Sequence, residues 1–406
     1  MASSPLVILA HIAHAAVLDG FLPAARRLGL SVVIATDRRL DHLERLAAVD
    51  SPPVRVIECD VFNPLATIDA LRNEGIRPCA VFSNSDHLQT ATAVVASAFD
   101  LPAKDWRVCY AAKNKAAMRE RLHERDLPSP WFHMLAPGDM PPADIPYPVI
   151  AKPREGVASL DVRLCANADE LTAYLDAFRL HGPDRALLLE SFLEGPLFTL
   201  ETLGDGHRVE AIGGFDVMLS PPPHFIEREA RWNGDHGVSC RAQALAQLLA
   251  FGVGFGVCHS EFVLTANGPV LIEINYRSIG DGREFMLESL QPDGWFERIL
   301  RLHLGQPLAA AERTPRARRA MVRYYVATEE GRLSSSPPDR AETSDGAHGV
   351  YRALRQTGDE IRLTHSNKDY LGALSLVADS DADLDRALSR IESGLHWRIA
   401  PSESHA

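Results

Sequence analysis

Three oxygen-bearing side chains, Glu261, Glu273 and Asn275, lie in the stretches VCHSEFVLT and PVLIEINYR, which flank an Asn267-Gly268 turn and read as a β-hairpin. Alternation along a strand sends Glu273 and Asn275 to one face, and a cross-strand spacing of ~5 Å brings Glu261 to them. Two carboxylates and an amide oxygen suit a hard dication such as Mg²⁺, which completes its shell with phosphate oxygens and waters. Solvated surface is the competing reading, but LIEIN sets Glu273 inside an apolar run, where an unpaired charge is costly. Lys115 and Lys152 supply the opposite charge. Lys152 directly follows PVIA, so its ammonium projects from the end of a buried strand. The loop after it, PREGVAS, carries Gly156, Ser159 and backbone N–H groups able to fold over phosphates as an anion nest.

These residues must be held by the rest of the chain. Residues 6 to 110 alternate short apolar strands (LVILA, SVVIATD, VRVIECD, CAVFSNSD) with helical stretches, among them Asp41 to Val49, which implies a parallel sheet with crossover helices. His11, Asp37 and Ser83 to Asp86 then fall at the carboxyl ends of strands, where such sheets meet small molecules. Helix capping is the plainer role for Asp and Ser there. No GxGxxG follows the first strand, and Gly252, Gly254 and Gly256 come between a helix and a strand, the reverse order, so a hydride-transfer cofactor is disfavoured. His11 and His14 alone make a weak metal site.

A second unit begins near Lys113 with the amphipathic helix KNKAAMRERLHERD, ended by LPSP. Strand, glycine-bearing loop and strand follow in PYPVIAKPREGVASLDVRL, then a helix from Asp169 to Leu180 and two strands in LLLESFLEGPLFTLETL. SPPPHF reads as a surface loop, and a helix from Arg241 to Phe251 leads into the acidic hairpin. From Ala320 a small α/β subdomain is expected, with a Ser/Pro/Asp-rich loop over Ser334 to Gly349 and a helix over Ala382 to Ser393.

Composition narrows the class. The 406 residues are 46% hydrophobic and 24% charged, with 42 Lys plus Arg against 54 Asp plus Glu; a net charge of -12 argues against nucleic acid as partner. The first residues lack the basic segment of a signal peptide and no apolar run reaches the ~20 residues of a membrane span, so a cytoplasmic protein without membrane contact is expected. The six cysteines form no CxxC pair and read as buried, reduced thiols.

In their order along the chain, the lysine helix, the strand-Lys-Pro-glycine loop, LLLESFLEGPLFTLE and HSEFVLTANGPVLIEINYR resemble the ATP-grasp superfamily, nearest to its stand-alone carboxylate-amine ligases, such as the L-amino acid ligases, of peptide, antibiotic and siderophore pathways. The resemblance implies an α/β ATP-grasp fold: a parallel pre-ATP-grasp α/β domain over 1–110, lobes over 111–190 and 191–319, and a closing α/β subdomain over 320–406. It implies ATP and Mg²⁺, with Lys115 and Lys152 on the nucleotide phosphates and Gly156 to Ser159 as the covering loop. Glu190 would accept from the adenine amine, with the backbone near Phe192 and Leu193 reading the ring edge. Glu261, Glu273 and Asn275 become the metal ligands, and Arg277 a partner for a carboxylate or acyl phosphate. Lys152, Arg277 and Ser159 are thus the catalytic candidates.

Two positions depart from the pattern of D-alanine:D-alanine ligase. Its acidic ribose ligand falls on Leu197, leaving Glu201 or Glu194 to supply the contact, and its arginine two residues before Glu261 is His259, either an orienter of the metal carboxylates or a core histidine. The implied reaction joins a small carboxylate to an amine through an acyl phosphate, with substrate contacts from Phe225, Glu227, Arg228, Arg231, Arg277, Ser278 and Gly280 to Arg283. For Glu227, Arg228 and Arg231, placed on a proline-flanked loop, plain surface exposure competes. A carboxylase or nucleotide-pathway ligase acting on bicarbonate or a ribosyl-amine, and a non-catalytic nucleotide-binding module, are the other readings. The sequence leaves a homodimer open.

Overall fold

The computed structural model describes residues 4–48, 54–154, 156, 158–291, 293–309, 318–344 and 346–401. Apolar, β-branched runs near the N-terminus form four parallel strands, β1 (Leu6–Leu9), β2 (Val32–Thr36), β3 (Arg55–Glu58) and β4 (Ala80–Phe82), in the order β3-β2-β1-β4. The expected alternation is present, and the helix expected from Asp41 spans Arg39–Ala47, while Val49 lies outside the described residues. A second, antiparallel sheet, of order β5-β8-β6-β7, is made of β5 (Phe132–Leu135), β6 (Val149–Pro153), β7 (Arg163–Cys165) and β8 (Leu187–Ser191).

The remaining strands build one large sheet and a small one. In chain order they are β9 (Leu197–Asp205), β10 (Val209–Gly213), β11 (Phe215–Leu219), β12 (Glu227–Trp232), β13 (Phe255–Thr265), β14 (Gly268–Asn275), β15 (Arg319–Val326), β16 (Gly331–Ser335), β17 (Arg340–Ser344), β18 (Ala347–Ala353), β19 (Glu360–Ile361), β20 (Tyr370–Ala378) and β21 (Arg398–Ala400). The large sheet runs β14-β13-β9-β11-β12-β15-β20-β18-β17 with β10 beside β9, and the small one is β19-β16-β21. Four C-terminal strands, β15, β20, β18 and β17, therefore continue the sheet that carries the acidic hairpin, through antiparallel pairing of β12 with β15 (Glu229↔Arg323 to Arg231↔Met321).

Two expected loops are strands. Glu227 to Arg231 belong to β12, and most of Ser334 to Gly349 forms the β17–β18 hairpin. Lys113 closes the helix Trp106–Lys113, and a new helix, Lys115–Glu124, starts because the Asn114 side chain caps it, accepting from the N–H groups of Ala116 and Ala117 at 3.1 and 3.3 Å. Among the described residues no helix is long and apolar enough to cross a membrane.

The largest core lies where the parallel sheet meets the helix Trp295–His303 and the large sheet. Phe21 packs on Phe82 (4.4 Å between centroids) and on Phe296 (4.9 Å). A Cβ on Gly20 would come within 2.5 Å of the Phe296 ring, which is hemmed in by Phe21 and Phe285. Gly20→Ala is therefore expected to destabilise the chain by about 1–3 kcal/mol through overpacking, read as a lower midpoint in denaturant at unchanged slope.

Candidate active site

A cavity of about 310 Å³ opens between the second sheet and the hairpin end of the large sheet, in the size range of small-molecule sites. Lys115, Lys152, Gly156, Ser159, Glu190, Phe192, Leu193, Phe225, Glu227, Glu261 and Glu273 all line it. Lys152 and Glu273, which come from different sheets, thus face one space. Ile150, Leu197, Leu219, Val263 and Ile272 supply its apolar wall. Glu155 and Val157 of the glycine loop lie outside the described residues.

The hairpin register pairs Glu261 with Glu273 and His259 with Asn275. Two carboxylates directly opposed across a strand pair repel, and the nearest described cation, Lys115 Nζ, stands 3.4 Å from Glu273 Oε1 and 3.1 Å from the Gly156 carbonyl. The described residues hold no group of three His, Cys, Asp or Glu able to bind a metal. The two opposed carboxylates, Glu261 and Glu273, fit a cation that draws its remaining ligands from phosphate and water, as Mg²⁺ does. Asn275 sits two residues beyond Glu273, outside the cavity wall, its Oδ1 3.4 Å from Arg277 Nη2.

His259 resolves into a supporting residue. Its Nδ1 lies 2.7 Å from Glu201 Oε1 and its Nε2 3.5 Å from Glu261 Oε1. Burial works against its charge, but the two carboxylates outweigh it and lift the imidazole to about 9. Burial would raise the Glu261 carboxyl, yet the His259 hydrogen bond and charge, with Arg283 and Lys115, hold it below its ordinary value. Glu201 is fully buried, with Thr199 Oγ1 at 3.1 Å and His259 as partners, and it is absent from the cavity wall. Four residues along β9 from Leu197, about 13 Å of strand, it stands too deep for the ribose contact expected of it. Glu194 is exposed on the turn between the lining residues Leu193 and Gly195.

Glu190 is the anchor of the cationic side. It forms a short ion pair with Lys152 and accepts from Arg119 Nε at 2.6 Å. Burial pushes the Glu190 carboxyl up, but the Arg119 and Lys152 charges outweigh it and bring it down to about 2. Burial likewise presses Lys152 below its ordinary value against the pull of Glu190. Arg119, which also donates to the Ile272 carbonyl at 2.6 Å, was not singled out from the sequence. Its signal was present, because Lys115 and Arg119 are four apart and share a helix face. At the hinge, the N–H groups of Ser191 and Phe192 are taken by the Trp131 and Pro148 carbonyls, whereas that of Leu193 bonds to no described residue.

The expected substrate residues separate into three groups. Phe225 and Glu227 line the cavity. Arg283 reaches it only through Glu227, with Nη1 3.1 Å from Glu227 Oε2, while its guanidinium lies over the Phe215 ring. Arg231 does not reach it. A β-bulge at Arg228 shifts the β11–β12 register, and Arg231 turns to the opposite face, where it meets Glu229 at 2.5 Å and Asp385 at 3.5 Å.

Ser278 is fully buried, its hydroxyl accepting from Trp295 Nε1 at 2.8 Å, so it serves the packing of the turn and not a ligand. Gly280 and Arg277 lie toward the carboxyl ends of β1 and β4, where Arg277 raises the local positive charge around the short Asp86–Lys113 ion pair and His11 meets Asp37 at 2.8 Å. Lys104, also missed, is buried with Gln89 Oε1 at 2.8 Å and donates to the Tyr276 carbonyl, pinning the chain between Asn275 and Arg277.

Glu284 at the start of the helix Arg283–Leu290 is 1% exposed and its Oε2 finds no described partner. Burial pushes its carboxyl up to about 7 from 4.5. A raised folded-state value means that its contribution is complete below pH 4.5 and is lost as pH rises through 7. Glu284→Gln should therefore match the parent near pH 4, gain on it through that window, and stay ahead by roughly 3 kcal/mol above it. Paired denaturation curves across pH read this directly.

With the site's geometry in place, residues 112–281 match the ATP-grasp domain family. The chain carries an ATP-grasp domain in an ATP-grasp fold, a class that uses ATP and Mg²⁺. Along its length it is 28% identical, over 401 residues, to the protein y4rH of Sinorhizobium fredii, spanning 94% of this chain and 80% of that one. It is 24% identical over 262 residues to dapdiamide A synthase of Enterobacter agglomerans, covering 60% of this chain and 61% of the synthase. The L-amino acid ligase from Bacillus licheniformis superposes with a TM-score of 0.76 at 20% identity, covering 98% and 99% of the two chains.

Proposed function

We propose that the protein is an ADP-forming ligase that joins an amino-acid-like carboxylate to an amine, in peptide or siderophore-type natural-product biosynthesis. The observation that carries this reading is the meeting of Lys152 and Lys115 with Glu261 and Glu273 around one cavity. The names of dapdiamide A synthase and of the L-amino acid ligase support the substrate class. The division at 110, 190 and 319 and a homodimeric state are carried as parts of the proposal, the latter checked by light scattering.

In this mechanism ATP is a substrate. Lys115 and Lys152 hold its phosphates, Gly156 and Ser159 cover them, and the Leu193 N–H, which bonds to no described residue, reads the adenine edge. Glu190 keeps Lys152 aimed, and its remaining lone pairs are available to the adenine amine. Bound Mg²⁺, held by Glu261, Glu273 and Asn275, would neutralise phosphate charge. The γ-phosphoryl passes to the substrate carboxylate, giving an acyl phosphate and ADP; the amine then attacks the acyl carbon and phosphate leaves. No protein nucleophile is needed, since positioning and charge carry the rate. In this reading Arg277 meets a substrate carboxylate from the side of β1 and β4, and Glu227 an incoming ammonium.

The test is phosphate release from MgATP against single and paired amino acids, with hydroxy- and polycarboxylates and bicarbonate as separate arms. Release that requires both an acid and an amine, with a condensed product by mass spectrometry, supports the proposal. Release with bicarbonate alone would replace it with the carboxylase reading.

A further inference from the structure

The segment Thr364–Asp369, between β19 and β20, is a tightly braced turn that the catalytic reading leaves unused. Asp369 is 4% exposed and its Oδ1 accepts from the Thr364 N–H at 2.8 Å and from the Thr364 hydroxyl at 2.6 Å. The fully buried Ser366 lies 2.6 Å from that hydroxyl and accepts from the Lys368 N–H at 3.2 Å, capping a short 3₁₀ turn over Asn367–Asp369. So braced, the turn presents Asn367 to two separate parts of the pocket wall. Its backbone N–H donates to the Ala158 carbonyl at 3.0 Å. Its Oδ1 accepts from the Glu227 N–H at 3.1 Å, and its Nδ2 lies 3.5 Å from Glu227 Oε1.

Neighbouring contacts tie the same three segments. His365 stacks on His224, 4.3 Å between centroids and 7° between planes. The Leu164 N–H donates to the Pro223 carbonyl at 3.0 Å. The part of the phosphate loop that receives the Asn367 bond is in a conformation that residues with a Cβ avoid: Ala158, Ser159 and Asp161 have φ of 57°, 55° and 57°. Backbone of that kind persists where surrounding structure holds it in place, and the Asn367 N–H is one of the groups that does so.

We propose that Asn367 is a positioning residue for the phosphate loop. Its N–H fixes Ala158 so that Gly156 and Ser159 face the cavity, and its side chain anchors the turn to Glu227 on the far wall. The C-terminal strands thereby set the phosphate-binding wall and the acidic wall together. The inference rests on the reading that this cavity takes nucleotide phosphates.

Two substitutions separate the arms. Asn367→Ala removes the bonds to Glu227 and keeps the backbone donor. Asn367→Pro removes both, and the backbone accepts it: Ser366 is extended at φ -142° and ψ 179°, as a residue before proline prefers, and the first position of a helical turn tolerates proline. Binding of Mg²⁺ with the non-hydrolysable ATP analogue AMPPNP, and of adenosine, is measured by calorimetry on the full chain.

The expected order for AMPPNP is parent, then N367A weaker by about threefold, then N367P weaker by a further factor of about ten, the worth of one hydrogen bond. Adenosine, which has no phosphate, should bind all three chains within about twofold. N367P binding AMPPNP as tightly as N367A overturns the role of the N–H. So does an equal loss for adenosine, which would mark a merely structural effect. A parent chain that binds adenosine but gains nothing from the phosphates of AMPPNP overturns the nucleotide reading itself, and this inference with it.

Discussion

Lys152→Met should lower ADP formation by about 10²–10³-fold while leaving a folded chain. The substitution keeps an unbranched side chain at a site 9% exposed and removes the ammonium that closes the cavity beside Glu190. Removing one fixed charge partner of a reacting group in a desolvated site costs a factor of that size. Folding survives because Arg119 still satisfies Glu190 at 2.6 Å. With one cation gone, the Glu190 carboxyl should also rise from its depressed value of about 2 toward 4.5. A depressed carboxyl stabilises the fold above its unfolded value, and that stabilisation is lost as pH falls through the folded one. The variant should therefore lose less stability than the parent as pH falls from 4.5 toward 2, and complete that loss at a higher pH. Unchanged ADP formation would take Lys152 out of the mechanism.

Glu273→Gln carries the second large effect. Glu273 faces Glu261 across the hairpin and pairs with Lys115 at 3.4 Å. Neutralising it leaves one carboxylate for a dication that prefers anionic oxygen. Turnover should fall on the order of 10²-fold, and the Mg²⁺-dependent part of the thermal shift produced by a nucleotide should vanish, while the phosphate-dependent part that Lys115 and Lys152 supply remains. The thermal-shift comparison with and without Mg²⁺ separates this outcome from a general loss of binding. A variant with the parent's Mg²⁺ response would move the metal elsewhere.

The parts of the site that were legible in the sequence are those written in local pattern. Alternation and an Asn-Gly turn placed Glu261 opposite Glu273, and an apolar run ending in lysine placed Lys152 at a cavity. Long-range pairing hid the rest. EREARW lacks a clean apolar alternation and sits beside three prolines, so it read as loop; it is a strand because β11 and β15 flank it on both sides. Its bulge at Arg228 decides that Glu227 faces the cavity and Arg231 does not, and no residue-type signal marks that position. Glu201 looked free to reach a ribose because its partner, His259, is 58 residues away. Asn367 could not be found at all without coordinates, since its value lies in touching residues 140 positions earlier.

The antiparallel pairing of β12 with β15 makes β15, β17, β18 and β20 a continuation of the large sheet and not an appendage. A shortened chain ending at residue 319 would leave Glu229 to Arg231 as a raw border, its amides open to any strand that came along. Removing that segment therefore invites self-association, and trimming the gene to its nucleotide-binding part is a poor route to a well-behaved minimal protein.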